Sequence, residues 1–371
     1  MRHRYRGALC VLACVLSLPL SAQRPSSALY DTEREVRFEG AVTRIDWATP
    51  SVFVFVDVRD AAGTVVNWAV QVASPTDLER GGWTRGALRI GDVVAITAQP
   101  ARGLQRQGLG RLVVLKASAK QLFPPLRKPP TATRTAPAPR WPDGQVRLGP
   151  PPGQAGHWGA ARASALAETT GTPVRLNGDG LLANLADVER VAPFQPWAKA
   201  LYLHRQRLLL KDDPLGRCMP PGGPRQFLMP NGFQFIEQRE LGRVLVLMGG
   251  GNRNWRVIYT DGRPQGQPAD VVLSFYGNSV GRWEKDTFVV DSVGYNERFW
   301  LSSGGLPHTE ALHLVERFSR PNLETLRYEV TVDDPRTYTR SWTGGWTVQW
   351  VPNEEMQESF CEENPEFTFV R

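Results

Sequence analysis

The chain has 371 residues and a formal net charge of +7, with 35 glycines, 30 prolines, 12 tryptophans and 4 cysteines. Arg2, Arg4 and Arg6 supply three of those charges, so the chain beyond them carries about +4, with no dense Lys/Arg stripe and no zinc-finger spacing. That excludes nucleic acid as an expected partner, and the shortage of long helical patterns beside so much Gly, Pro and Trp points to an all-β protein.

The three arginines precede an apolar run from Ala8 to Leu20, which ends in the small residues Ser21-Ala22. This is the form of a secretory signal peptide over residues 1–22, too short to span a bilayer. The predicted location is periplasmic or secreted, with cleavage after Ala22, and no later segment reads as a membrane span. Cys10 and Cys14 fall inside the leader, which leaves Cys218 and Cys361. In an oxidising compartment those two are expected to form one disulfide.

Residues 30–118 read as a small β-barrel. Val36, Phe38 and Gly40 alternate with charged residues, and Val52 to Val58 is a strand-like run. Asp60-Ala61-Ala62-Gly63 turns the chain, and Thr64 to Val72 returns. Ser74 is placed to cap a short helix. Val93-Val94-Ala95-Ile96 and Arg111 to Leu115 complete the set. Three strands, a helix and two strands give the order of a five-stranded OB-like barrel. Glu39-Gly40-Ala41-Val42, Ile45-Asp46-Trp47, Val65-Val66-Asn67-Trp68, Gly82-Trp83-Thr84 and Ile90-Gly91-Asp92-Val93 resemble a family of small secreted bacterial domains of unknown function. That family usually has histidines before its first strand, where this chain has Ser26-Ser27-Ala28-Leu29-Tyr30-Asp31, so no role of those histidines transfers.

Residues 119–192 read as a Pro/Ala/Gly-rich linker, an extended spacer. A helix follows from Pro196, with Trp197, Leu201 and Leu208 on its apolar face, and is expected to brace the next domain. Residues 193–371 then read as a succession of strands, at 233–238, 243–248, 254–260, 286–293, 311–320, 325–332 and 339–351. They predict an antiparallel, lipocalin-like barrel or curved sheet. Pro196-Trp197-Ala198, Cys218-Met219-Pro220-Pro221-Gly222, Tyr259-Thr260-Asp261-Gly262-Arg263-Pro264, Ser279-Val280-Gly281-Arg282-Trp283-Glu284 and Pro307-His308-Thr309-Glu310 resemble a second family of uncharacterised secreted bacterial proteins, over about 194–364. A histidine commonly stands there in place of Asn278. Neither resemblance implies an activity.

Three candidate catalytic residues stand out. Glu316 shares a strand face with Leu312, Leu314 and Phe318, which desolvates its carboxyl unless a cation meets it. It is either a functional acid or base or half of a structural ion pair with an arginine. Asp291 lies on a face with Val289 and Val293. Two carboxylates inside one barrel suit proton transfer, and His308 in a loop at the barrel mouth is the matching histidine. His308, Glu310 and His313 follow no zinc spacing, so neither a metal nor another cofactor is expected. Trp342, Trp346 and Trp350 fall on one strand face, with Trp300 and Tyr276 in nearby loops. Such an aromatic wall suits an apolar or aromatic small molecule. The first expectation is therefore an exported carrier of such a ligand in the C-terminal barrel. A lyase, isomerase or hydrolase using the same cavity is the second. A glycan- or protein-interaction module acting through the OB-like domain is the third.

Overall fold

The computed structural model describes residues 29–356, apart from 49–50, 61, 125–135, 162–164, 171–172, 178, 230–231, 251–253 and 267–270. The leader over 1–22 and Cys361 lie outside the described residues.

The N-terminal domain contains β1 (Val36–Asp46), β2 (Phe53–Arg59), β3 (Val65–Gln71), α1 (Pro75–Arg80), β4 (Val93–Pro100) and β5 (Gln107–Leu115). Neighbours pair in the order β3-β2-β1-β4-β5, and a parallel pairing of β3 with β5 closes the five-stranded barrel. Closure demands that β1 curve sharply. A register shift between Val42 and Arg44 supplies the bend. Gly40 lets β1 lie close on β2, since a Cβ there would stand 2.1 Å from the Asp57 carbonyl oxygen. Val42, Val54, Val56, Val70, Val94 and Ile96 fill the centre. Ser74 caps α1 by accepting from the Asp77 amide at 3.2 Å, as its position predicts. A sixth strand, β6 (Lys120–Phe123), extends the sheet beyond β5.

The C-terminal domain contains β7 (Gly156–Trp158), α2 (Pro196–Arg207), β8 (Phe233–Gln238), β9 (Arg243–Met248), β10 (Trp255–Tyr259), β11 (Asn278–Glu284), β12 (Thr287–Val293), β13 (His313–Asn322), β14 (Thr325–Asp333) and β15 (Trp342–Pro352). Strands β7 to β15 form a closed barrel, which removes its sheet edges. All neighbours are antiparallel except β10 and β11, which run parallel. Strand β11 escapes sequence reading because Asn278, Gly281 and Arg282 weaken its pattern. Gly281 is required there, as a Cβ would meet the Phe288 ring at 2.5 Å.

Two expectations need correction. Residues 119–192 are not merely a spacer. Leu148, Trp158, Leu166, Val188 and Val191 from this stretch belong to the barrel core, and β7 closes the ring between β15 and β8. Side chains of the barrel strands satisfy its backbone. Arg320 donates to the carbonyls of Arg147 (2.9 Å) and Gly149 (2.8 Å). The Glu237 carboxylate accepts from the amides of Leu148 and Gly149, both at 2.9 Å. Composition reports what a segment does alone, and here other elements bury it. The second correction concerns α2, whose buried face is Ala198, Tyr202 and Gln206, while Trp197 stays 45% exposed. Gln206 is buried because the loops need it. It donates to the carbonyls of Gly304 (2.7 Å) and Gly180 (3.1 Å) and accepts from the Leu182 amide (2.8 Å).

Candidate functional site

Glu316 points into the C-terminal barrel from β13 and is 0% exposed. A cation does meet it. Arg256 of β10, 1% exposed, reaches across the interior to pair with its Oε2. Tyr328 of β14 donates to Oε1 at 2.9 Å. The guanidinium also donates to Ser292 Oγ at 2.7 Å and Ser279 Oγ at 3.0 Å, and Ser292 donates to Ser279 at 3.0 Å. Five strands thus contribute to one buried polar network. Burial works against the charge on Arg256, but the adjoining Glu316 carboxylate prevails and holds the guanidinium pKa above its ordinary value. The Tyr328 and Tyr295 hydroxyls are pushed up, first by burial. One guanidinium nitrogen, Arg256 Nη1, has no hydrogen-bond partner. The carboxylate thus has a guanidinium on one oxygen and a tyrosine hydroxyl on the other, the partners of a buried counter-charge.

Around the network aromatic rings from several strands meet. Phe235 of β8 and Phe318 of β13 stand on opposite sides of the ring, yet their centroids are 5.2 Å apart. Phe227, from the segment before β8, packs between them and Tyr328, at 5.5 Å from Phe318 and 4.9 Å from Tyr328. Leu166 enters against β15, where a Cβ on Gly344 would meet it at 2.5 Å.

The other predicted catalytic residues do not join Glu316. Residues alternate along β12, so the inward set is Phe288, Val290 and Ser292, and Asp291 faces outward. Its partner is His313, which stands at 3.1 Å through Nε2. This hydrogen bond raises the imidazole pKa against partial burial. His308 is buried beneath Phe299, with ring centroids 4.2 Å apart. Its Nε2 faces the Phe299 carbonyl at 3.1 Å and Nδ1 the Thr309 carbonyl at 3.2 Å. Each neutral tautomer donates to one of them, and burial lowers the ring's pKa. His308 therefore pins its own loop.

Trp342, Trp346 and Trp350 do share the inward face of β15, but they do not form one wall. Trp342 packs on Tyr338 (5.4 Å), Trp346 on Tyr328 (4.8 Å) and Trp350 on Trp158 (5.0 Å). Trp300 lies under the Arg205 guanidinium at 4.5 Å. The Tyr276 hydroxyl is buried beside Asn254, and burial raises its pKa. Sequence reading missed Arg256, Ser279 and Ser292, and weighed His313 only as a metal ligand, not as the partner of Asp291. Arg256 carried a signal, since it shares a strand face with Ile258, where a lone arginine needs a buried acid.

A concave surface is present on the N-terminal barrel. A groove of about 330 Å³ lies between Gly81-Gly82-Trp83 after α1 and Ala119 to Leu122 at β6. Trp83 is 1% exposed beneath it, and its indole N–H has no partner. Lys120 is the one charged lining residue. Among the described residues no cluster of three or more His, Cys, Asp or Glu side chains is arranged to hold a metal ion.

Fold and site together define a protein of two β-barrels, an OB-like one followed by a larger packed one. Residues 12–111 match a family of unknown function (DUF6152), a stretch that takes in β1 to β4 of the N-terminal barrel and the start of β5. No curated protein and no solved structure matches the chain.

Proposed function

We propose that the chain is an exported interaction protein, a two-barrel scaffold that engages a glycan or protein partner through its OB-like domain. The contact of Phe235 with Phe318 carries this reading, because a barrel whose opposite walls touch is poorly suited to an apolar cargo. Glu316 is matched by Arg256, Asp291 by His313, and His308 by carbonyls, so convergent acid–base chemistry has no support. The groove over Trp83 offers a concave surface lined by the Lys120 ammonium and by Gln121, whose amide nitrogen donates to the Pro124 carbonyl at 2.8 Å. The apolar leader supports a periplasmic or secreted location. There Cys218 and Cys361 would pair and close the C-terminal domain, a bond that contributes about 4–5 kcal/mol in the chain-entropy model. The motifs over 194–364 resemble uncharacterised exported proteins, which fits that compartment.

The test is native mass spectrometry of protein exported to a bacterial periplasm, set against its denatured mass, followed by a glycan array. The expected mass is that of the polypeptide without residues 1–22. An organic adduct released on denaturation would restore the carrier reading. Array binding should be lost in Lys120→Glu, and binding that survives removal of residues 23–120 would overturn the assignment to the OB-like domain.

A further inference from the structure

The groove between α1 and β6 contains a polar group that the fold leaves unsatisfied. Trp83 lines the groove and belongs to the core of the N-terminal barrel. Its backbone amide donates to the Leu78 carbonyl at 2.8 Å, which fixes the residue behind α1. Its indole N–H is buried and has no partner. A buried donor without an acceptor is uncommon, because it has given up water and gained no bond in return. A molecule seated in the groove can supply the missing acceptor.

The other lining groups say which kind of molecule. Lys120 is exposed, and no carboxylate pairs with it among the described residues, whereas Lys116 bonds Glu39 at 2.8 Å. No acidic side chain stands among the described lining residues. Gly81, Gly82 and Ala119 offer little side chain, and Leu122 is a core residue. The set suits a ligand with acceptor oxygens, a negative charge and an apolar face. The groove's 330 Å³ lies at the low end of small-molecule sites, roughly 300–1,000 Å³, so it takes a small unit. A uronic acid ring has all three features, in its carboxylate, its hydroxyl oxygens and its C–H faces. An acidic peptide would instead add to β6, the edge strand of the sheet. That edge is 4 residues long, its pairing with β5 shifts register between Val113 and Val114, and Pro124 follows it without an N–H. Short, bulged edges that end in proline resist strand addition.

We propose that the groove over Trp83 binds a uronic acid residue of an acidic glycan, with its carboxylate at the Lys120 ammonium and an oxygen accepting from the Trp83 indole N–H. The proposal rests on the reading of the OB-like domain as the binding domain and names what that domain binds. The test titrates the whole mature chain, carrying isotope-labelled tryptophan, with trigalacturonate, its neutral methyl ester and hexaglutamate. The Trp83 indole signal in the NMR spectrum is assigned by its absence from Trp83→Phe. Trigalacturonate should shift that signal to saturation. The methyl ester and Lys120→Gln should each weaken binding about tenfold, the worth of one charge-assisted hydrogen bond. Equal binding of the methyl ester at the Trp83 signal would overturn the acidic class and leave the OB-like domain as the binding domain. Hexaglutamate binding there in place of the sugar would overturn the glycan. Trigalacturonate binding that leaves the Trp83 signal unmoved would overturn the groove. No binding of trigalacturonate rejects the uronate and leaves the glycan array to judge the OB-like reading.

Discussion

At the scale of single residues, the Arg256–Glu316 pair decides how the barrel interior is understood. Two charges taken out of water recover their desolvation cost only when geometry and further hydrogen bonds are complete. Here Tyr328, Ser279 and Ser292 supply those bonds. Glu316→Gln leaves the guanidinium buried without its counter-charge, and should destabilise the protein by about 3 kcal/mol in urea unfolding. Arg256→Met with Glu316→Leu should cost less than the single change, because it removes both charges. A single variant as stable as the parent would show that water reaches the pair. The desolvating face around Glu316 was legible from alternation along its own strand. Its partner was not, because Arg256 lies 60 positions away and three strands across the ring.

At the scale of elements, β7 is the instructive case. It is 3 residues long, yet it closes the ring between β15 and β8. Trp158 makes this possible. It is 0% exposed and donates to the Leu148 carbonyl at 2.9 Å, and the Arg320 guanidinium lies 4.6 Å over its ring. Arg320 satisfies carbonyls rather than a carboxylate, and burial pushes its pKa down to about 10. Trp158→Ala should cost about 3–5 kcal/mol and speed amide exchange in β8 and the end of β15. Unchanged exchange there would mean that the ring does not depend on β7. Local pattern located most of the longer strands to within a few residues. It could not reveal β7, since Gly156-His157-Trp158 becomes a strand only when β15 and β8 offer backbone partners.

For the whole molecule, the described apolar cores form two clusters with no shared residue, one in each barrel. Each domain should therefore unfold as its own cooperative unit, giving two transitions in scanning calorimetry. Gly40→Val forces β1 off β2, because its Cβ stands 2.1 Å from the Asp57 carbonyl oxygen. It should abolish or lower one transition and leave the other in place. Trp158→Ala should move the other. If both variants moved the same transition, the two barrels would be one cooperative unit.

The sequence by itself determined the all-β class, the order of strands and helix in the OB-like domain, the Ser74 cap, and the shared face of Trp342, Trp346 and Trp350. These follow from short-range periodicity and capping, which act between neighbours in the chain. Only the tertiary structure decided that Asp291 faces outward to His313, that Glu316 meets Arg256, that the tryptophans pack on separate partners, and that the Pro-rich stretch enters the core. Those outcomes depend on which side of a strand the ring encloses and on side chains meeting from distant strands. Alternation says that two faces exist, and only ring closure says which one is buried.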